Sequence, residues 1–156
     1  MILQDRFQKG FSLVELVTVV VLLAILAVVA FSRMSGFGTF EQKAFFDEFT
    51  SALRYAQKLA LSSGCSVQVT VTATSYALKQ GATCGSSSFV RNVLHPAHRR
   101  QAYQNASLPA GVTINPAATL VFSAQQKVSG IASNTSFTVG GYSLTVYPET
   151  GLVDVN

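Results

Sequence analysis

Phe11 to Phe31 reads FSLVELVTVVVLLAILAVVAF, an apolar run with one ionisable side chain, Glu15. A helix over this run spans about 31 Å, the thickness of a bilayer's hydrocarbon core. Arg6 and Lys9 precede it and only Arg33 follows closely, a bias that favours an N-terminus in the cytoplasm. A secretory signal has an apolar region of only about 7–15 residues and a small-residue cleavage site. This run is longer, and Ala30-Phe31-Ser32-Arg33 is a poor match to such a site. A plain membrane anchor accommodates everything except Glu15. A carboxylate inside such a run costs about 2.5–3.5 kcal/mol by insertion scales and marks function by default.

The rest of the composition fits this picture. Of the 156 residues, 49% are apolar and only 12% charged. A soluble domain usually carries about 25% charged residues. This excludes disorder as the main state and argues against a freely soluble enzyme. The net charge of +4 is too mild to indicate nucleic acid by itself. Two cysteines and two histidines leave little material for a metal site, and none is expected. No nucleophile elbow, phosphate loop, dinucleotide fingerprint or paired-carboxylate arrangement is present. Neither a cofactor nor catalysis is expected.

Lys9-Gly10-Phe11-Ser12-Leu13-Val14-Glu15, followed by a membrane-length apolar run, resembles the processing signal of type IV prepilins and type II secretion pseudopilins. The resemblance implies a leader over residues 1–10, cleavage after Gly10 by a prepilin peptidase, and N-methylation of Phe11. It also implies a filament-core or transmembrane helix over 11–34. The Glu five residues into the mature chain is the family's hallmark. Cleavage would place a new ammonium on Phe11 one turn from Glu15. The Glu15 carboxylate of one subunit could then meet the Phe11 ammonium of its neighbour, neutralising two costly charges. Glu15 is thus a docking residue.

Further along, Ser35-Gly36-Phe37-Gly38 predicts a kink or break, and Thr39 to Gln42 has the spacing of a capping box. Phe45, Phe46, Phe49, Ala52, Leu53, Ala56, Leu59 and Ala60 then recur at helical spacing, with Asp47, Glu48, Arg54 and Lys58 largely opposite. Ser63-Gly64 closes this amphipathic segment, 35–64. From Cys65 the period becomes two. Strands are expected at Ser66–Thr72, Tyr76–Lys79, Val112–Ile114, Thr119–Ser123, Ser136–Val139, Ser143–Tyr147 and Leu152–Val155, with a hairpin turn at Gly140-Gly141. The fold class is α+β, a helix on antiparallel sheets, with a β domain over 65–156.

Phe45 to Ala60 followed at once by a strand, and the closing Gly-Leu-Val after Pro148-Glu149-Thr150, resemble the branch of pseudopilin H and the fimbrial T minor pilins. Within it the texture is similar to a mannose-sensitive haemagglutinin-type minor pilin. The resemblance implies a single-pass protein of the bacterial inner membrane, its C-terminal domain periplasmic, later assembled near the tip of a pilus or pseudopilus. Its partners would be the peptidase, other major and minor pilins or pseudopilins, the inner-membrane assembly platform and, before assembly, lipid.

Cys65 and Cys84 would lie where disulfides form, and pairing them would contribute about 3 kcal/mol in the chain-entropy model. Two free thiols are the alternative. Residues 89–104, FVRNVLHPAHRRQAYQ, gather Arg91, His95, His98, Arg99, Arg100 and Tyr103 without an acid. A solvated loop is the simpler reading. The functional one is an anion patch in which Arg91, Arg99 and Arg100 bind DNA, another subunit or a charged surface. Some fimbrial T minor pilins bind DNA through a C-terminal Gly-Arg-X-Arg type motif. This chain ends Gly-Leu-Val-Asp-Val-Asn and lacks it.

Overall fold

The computed structural model describes residues 12–32 and 37–156. Two compact units divide at Phe37/Gly38. The first contains α1 (Leu13–Ser32). The second begins with the long helix α2 (Phe37–Ser63) and continues through ten short strands. The expected break at Ser35-Gly36 lies outside the described residues. Phe37 and Gly38 are already helical, so Thr39 sits inside the first turn and is not the cap. The first N–H groups of any helix lack intrahelical partners, so a glycine there costs little.

The strands form two antiparallel sheets. In the larger sheet, β1 (Val67–Val71) lies between β2 (Tyr76–Gly81) and β6 (Ala118–Phe122). β3 (Phe89–Asn92) and β4 (Gln104–Asn105) both pair with β2, and β7 (Val128–Ser129) closes the far side. The smaller sheet has the order β10 (Val153–Val155), β9 (Tyr142–Val146), β8 (Thr135–Val139), β5 (Ile114–Asn115). Every expected strand has a counterpart within two residues at either end. Val112 falls outside β5, and β5 takes in Asn115. Gly140, with φ +59°, makes the turn between β8 and β9.

β3, β4 and β7 have no counterpart in the sequence pattern. β4 and β7 are two residues each, too short to carry a period. β3 reads FVRN and buries none of its four residues fully, so it has no inside-outside alternation to read. Its pairing comes from the open side of β2: Lys79 opposes Asn92 and Gln80 opposes Arg91.

One core holds α2 and both sheets. Phe45, Phe46, Phe49, Ala52, Leu53, Ala56 and Ala60 are all buried, which is the predicted stripe less Leu59 at its margin. From the larger sheet come Val67, Val69, Val71, Leu78, Leu120 and Phe122. From the smaller come Ile114, Phe137, Val139, Leu144, Val146 and Val153. Phe49 touches both: its ring lies 5.5 Å from Tyr76 and 6.0 Å, edge-on, from Phe137. Arg54 donates from Nε and Nη2 to the carbonyl of Val153, and Gln57 donates to that of Thr150, tying the last strand to the helix.

Phe49→Ala should therefore cost about 3–5 kcal/mol, because it opens a cavity at a point both sheets share. Urea unfolding of residues 38–156 monitored by far-UV circular dichroism will measure it, and a single cooperative transition is expected in both proteins.

Candidate functional site

Glu15 sits in the first turn of α1, where a negative charge complements the helix dipole. The Ser12 carbonyl accepts from the Leu16 amide at 3.1 Å, and the Thr18 hydroxyl donates to the Glu15 carbonyl at 2.9 Å. The side chains of residues 12–27 are all exposed, including ten large apolar ones between Leu13 and Ile25. A helix apolar on every side is stable only where something else covers it. Among the described residues no helix is long and apolar enough to cross a membrane. The described side chains of α1 end at residue 27, and the apolar run in the sequence continues to Phe31. Gly10 and Phe11 lie outside the described residues.

At the other end of α2, Cys65 and Cys84 form a disulfide. It joins the exit of the helix to the loop after β2. Beside it a relay of polar groups fixes the outer strand. The Arg91 guanidinium donates to the Gln80 side-chain oxygen at 3.3 Å, and the Gln80 amide donates to the Ser63 hydroxyl at 3.0 Å. Arg91 is therefore a strand residue with an anchored head. The sequence alone groups it in a loop with Arg99 and Arg100, and the pairing of β3 with β2 corrects that.

Those two arginines lie further along, in a small hairpin. Leu94 bridges to Ala102, and the His95 amide donates to the Gln101 carbonyl at 2.9 Å. The turn between them is ordered by His95, whose Nδ1 accepts from the amides of Ala97 and His98 at 3.1 and 3.3 Å. The His95 ring packs 4.5 Å from Tyr103 and 5.2 Å from His98. Arg99 and Arg100 are exposed in this turn. Of the three arginines only Arg91 lines a groove; Arg99 and Arg100 line neither. Arg91 lines a groove of about 480 Å³ with Tyr55 and Leu94, while Pro96 lines another of about 270 Å³ with Tyr55 and Lys58.

Glu48 departs from its expected place. Helical spacing sets it opposite the apolar stripe of α2, but it is half-buried and accepts from the Tyr76 hydroxyl at 2.5 Å. Its two oxygens also accept from the Asn105 amide at 3.2 and 3.1 Å. Its position three residues after Phe45 and one before Phe49, at the margin of the apolar stripe, is the signal that could have revealed it. Burial pushes the Tyr76 phenol up, aided by the hydrogen bond to Glu48 and by its charge. Burial also pushes the Tyr103 phenol up, helped by Glu48 and Tyr55. These groups fasten β2, β4 and α2 together, and among the described residues no group of three or more metal-ligating side chains gathers.

Residues 5–31 match the model of the prokaryotic N-terminal methylation motif. No curated protein matches the chain. Among solved structures the chain is similar to the type IV minor pilin FimU of Pseudomonas aeruginosa in two crystal forms. One has 14% identity, coverage of 76% of this chain and 90% of that one, and a TM-score of 0.54. The other has 13% identity, coverage of 70% and 88%, and a TM-score of 0.49. The first of these likenesses carries the assignment of fold.

The chain joins an N-terminal methylation motif to a pilin fold.

In this pilin domain the buried phenols set an alkaline limit. Unfolded tyrosine titrates near 10.0, and both native phenols hold their protons above that value. The stabilisation is complete below about pH 10 and is lost as pH rises further, because the unfolded chain releases protons that the native state retains. Tyr76→Phe should flatten that decline and cost about 1.5–3 kcal/mol at neutral pH, the loss of a hydrogen bond to a charged group. Urea titrations of both proteins at about pH 8 and about pH 11 will separate the two effects.

Proposed function

We propose that this chain is a minor pilin or pseudopilin, made as a membrane-inserted precursor and assembled through its N-terminal helix. The observation that carries the reading is the methylation motif matched over residues 5–31. The exposed all-apolar surface of α1, with Glu15 in its first turn, supports it. In this account a prepilin peptidase cuts after Gly10 and Phe11 is methylated. The freed ammonium and the Glu15 carboxylate of neighbouring subunits neutralise each other within packed helices. Before assembly the helix resides in the inner membrane with the leader in the cytoplasm, and the folded domain lies on the periplasmic side. The disulfide suits that oxidising compartment. Afterwards the chain sits at or near the tip of a pilus or pseudopilus, where it helps initiate assembly, in contact with other pilins and the assembly platform. The role is structural and needs no cofactor.

The alternative, capture of DNA or a charged surface by residues 91–100, has less behind it. Arg91 is engaged with Gln80 and is not grouped freely with Arg99 and Arg100.

Intact-mass measurement of protein recovered from membranes, with and without the peptidase, tests the main reading. Loss of residues 1–10 plus one methyl group should depend on the peptidase. Gly10→Ala should block the loss. Glu15→Ala should leave it intact but keep the subunit out of sheared filaments. Normal incorporation of Glu15→Ala would remove its docking role.

A further inference from the structure

The two grooves beside α2 share Tyr55 as a lining residue. Their floor is apolar, made of half-buried Tyr55 and Leu59 and of Leu94, which is 52% exposed. Their rim is cationic: Arg54, Lys58 and Arg91 are exposed, and Arg99 and Arg100 share the turn of Pro96. No Asp or Glu occurs from Phe49 to Pro148, so neither the strands nor the hairpin around the grooves supply a counter-charge. The guanidiniums of Arg54 and Arg91 do make hydrogen bonds, but to the Val153 carbonyl and the Gln80 amide oxygen. Both acceptors are neutral, and among the described residues neither arginine forms an ion pair, although Asp154 directly follows the Val153 that Arg54 binds. Glu48 keeps its charge, since its donors Tyr76 and Asn105 are neutral, but it lines neither groove and is turned toward β2 and β4. Alongside, β3 is the outermost strand of its sheet at this end and leaves one backbone edge open.

We propose that this double groove is a docking site for an acidic, extended segment of another protein, one that carries apolar anchor side chains. Charge complementarity sets the acidic character. The exposed Leu94 and the Leu59 floor require apolar side chains, which a sugar-phosphate backbone does not offer. An open strand edge suits an extended peptide. Tyr103 offers little for base stacking, because it is 4% exposed and packed against Tyr55, Tyr76 and His95, which leaves half-buried Tyr55 as the aromatic ring common to both grooves. The inference rests on the domain alone, so failure of the processing test leaves it standing and its own failure leaves the processing reading intact.

Residues 38–156 form a compact unit with its own core and serve for the test. The probes are a short synthetic peptide alternating Glu and Leu, the same peptide with Gln for Glu, the same with Ser for Leu, and a single-stranded thymidine oligonucleotide of equal charge. Binding is read by fluorescence anisotropy, and its location by backbone amide shifts. The Glu/Leu peptide should move the amides of Tyr55, Leu59 and residues 91–96. Its affinity should fall about tenfold or more in Leu94→Asp and in the double variant Lys58→Glu/Arg99→Glu. The double variant changes only exposed side chains, so it decides the matter if Leu94→Asp fails to fold. Equal binding of the Gln or Ser peptide, shifts outside these residues, or no binding would overturn the proposal. Tighter binding of the oligonucleotide at the same amides would overturn it in favour of a nucleic acid.

Discussion

Phe49 is the contact on which the architecture depends. The two sheets share no strand, and the apolar face of each must be covered by another element. What makes them one body is the apolar stripe of α2, and at Phe49 that stripe meets an aromatic ring from each sheet. The stripe alternates in size. Phe45, Phe46 and Phe49 fill the wide end, while Ala52, Ala56 and Ala60 let the backbone of α2 approach the sheets elsewhere. Backbone hydrogen bonds add cross-ties, from the Ile114 amide to the Ala73 carbonyl and from the Val128 amide to the Pro148 carbonyl. Directional bonds of this kind fix position, while most of the free energy comes from the buried apolar area.

The polar groups that the core does enclose serve that same helix. Glu48 stands where the stripe meets solvent, and its carboxylate is held by Tyr76 from β2 and Asn105 from β4. β4 is only two residues long and would have little hold on the sheet through its backbone alone. The charge-assisted contact with Glu48 gives it a second attachment. Leu78 does the same from the backbone, donating to the Tyr103 carbonyl and accepting from the Val93 amide. The hairpin of residues 94–102 is thus rooted at both ends in β2, and its basic turn projects from a fixed base.

The sequence was most informative where a period repeats. The stripe of α2 and the longer strands were legible because burial alternates along them, as in the strict pattern of β1. The methylation motif was legible because Lys9 to Glu15 resembles a known processing signal, and the cost of a carboxylate inside an apolar run marked Glu15 independently as functional. Elements that borrow their structure from neighbours were hidden. β3 carries no alternation of its own and exists because β2 has an open side, so Arg91 reads from the sequence as a loop residue. The hydrogen-bond partners of Glu48 were hidden for a related reason. Its partners lie 28 and 57 residues away in sequence, and no local pattern reports such a pair. The hairpin turn was visible as a basic loop, but the role of His95 in ordering it depends on ring geometry that residue types do not encode.

The distribution of charge divides the chain by task. In α1 the one carboxylate is set against an otherwise apolar surface, a cost that is recovered only when a cation is brought to it. That arrangement makes the helix unsuited to remaining alone. In the pilin domain the acids cluster on the first half of α2 and near the chain's end, and the long interval between holds only bases. A uniform mixture of both signs would serve solubility equally well, so solubility does not explain the separation. Separation instead leaves a field directed outward from the hairpin and the second half of α2, which attracts acidic partners and repels basic ones. On the readings proposed above, each unit carries charge in a defined place, Glu15 for a neighbouring helix and the basic groove for an acidic extended segment.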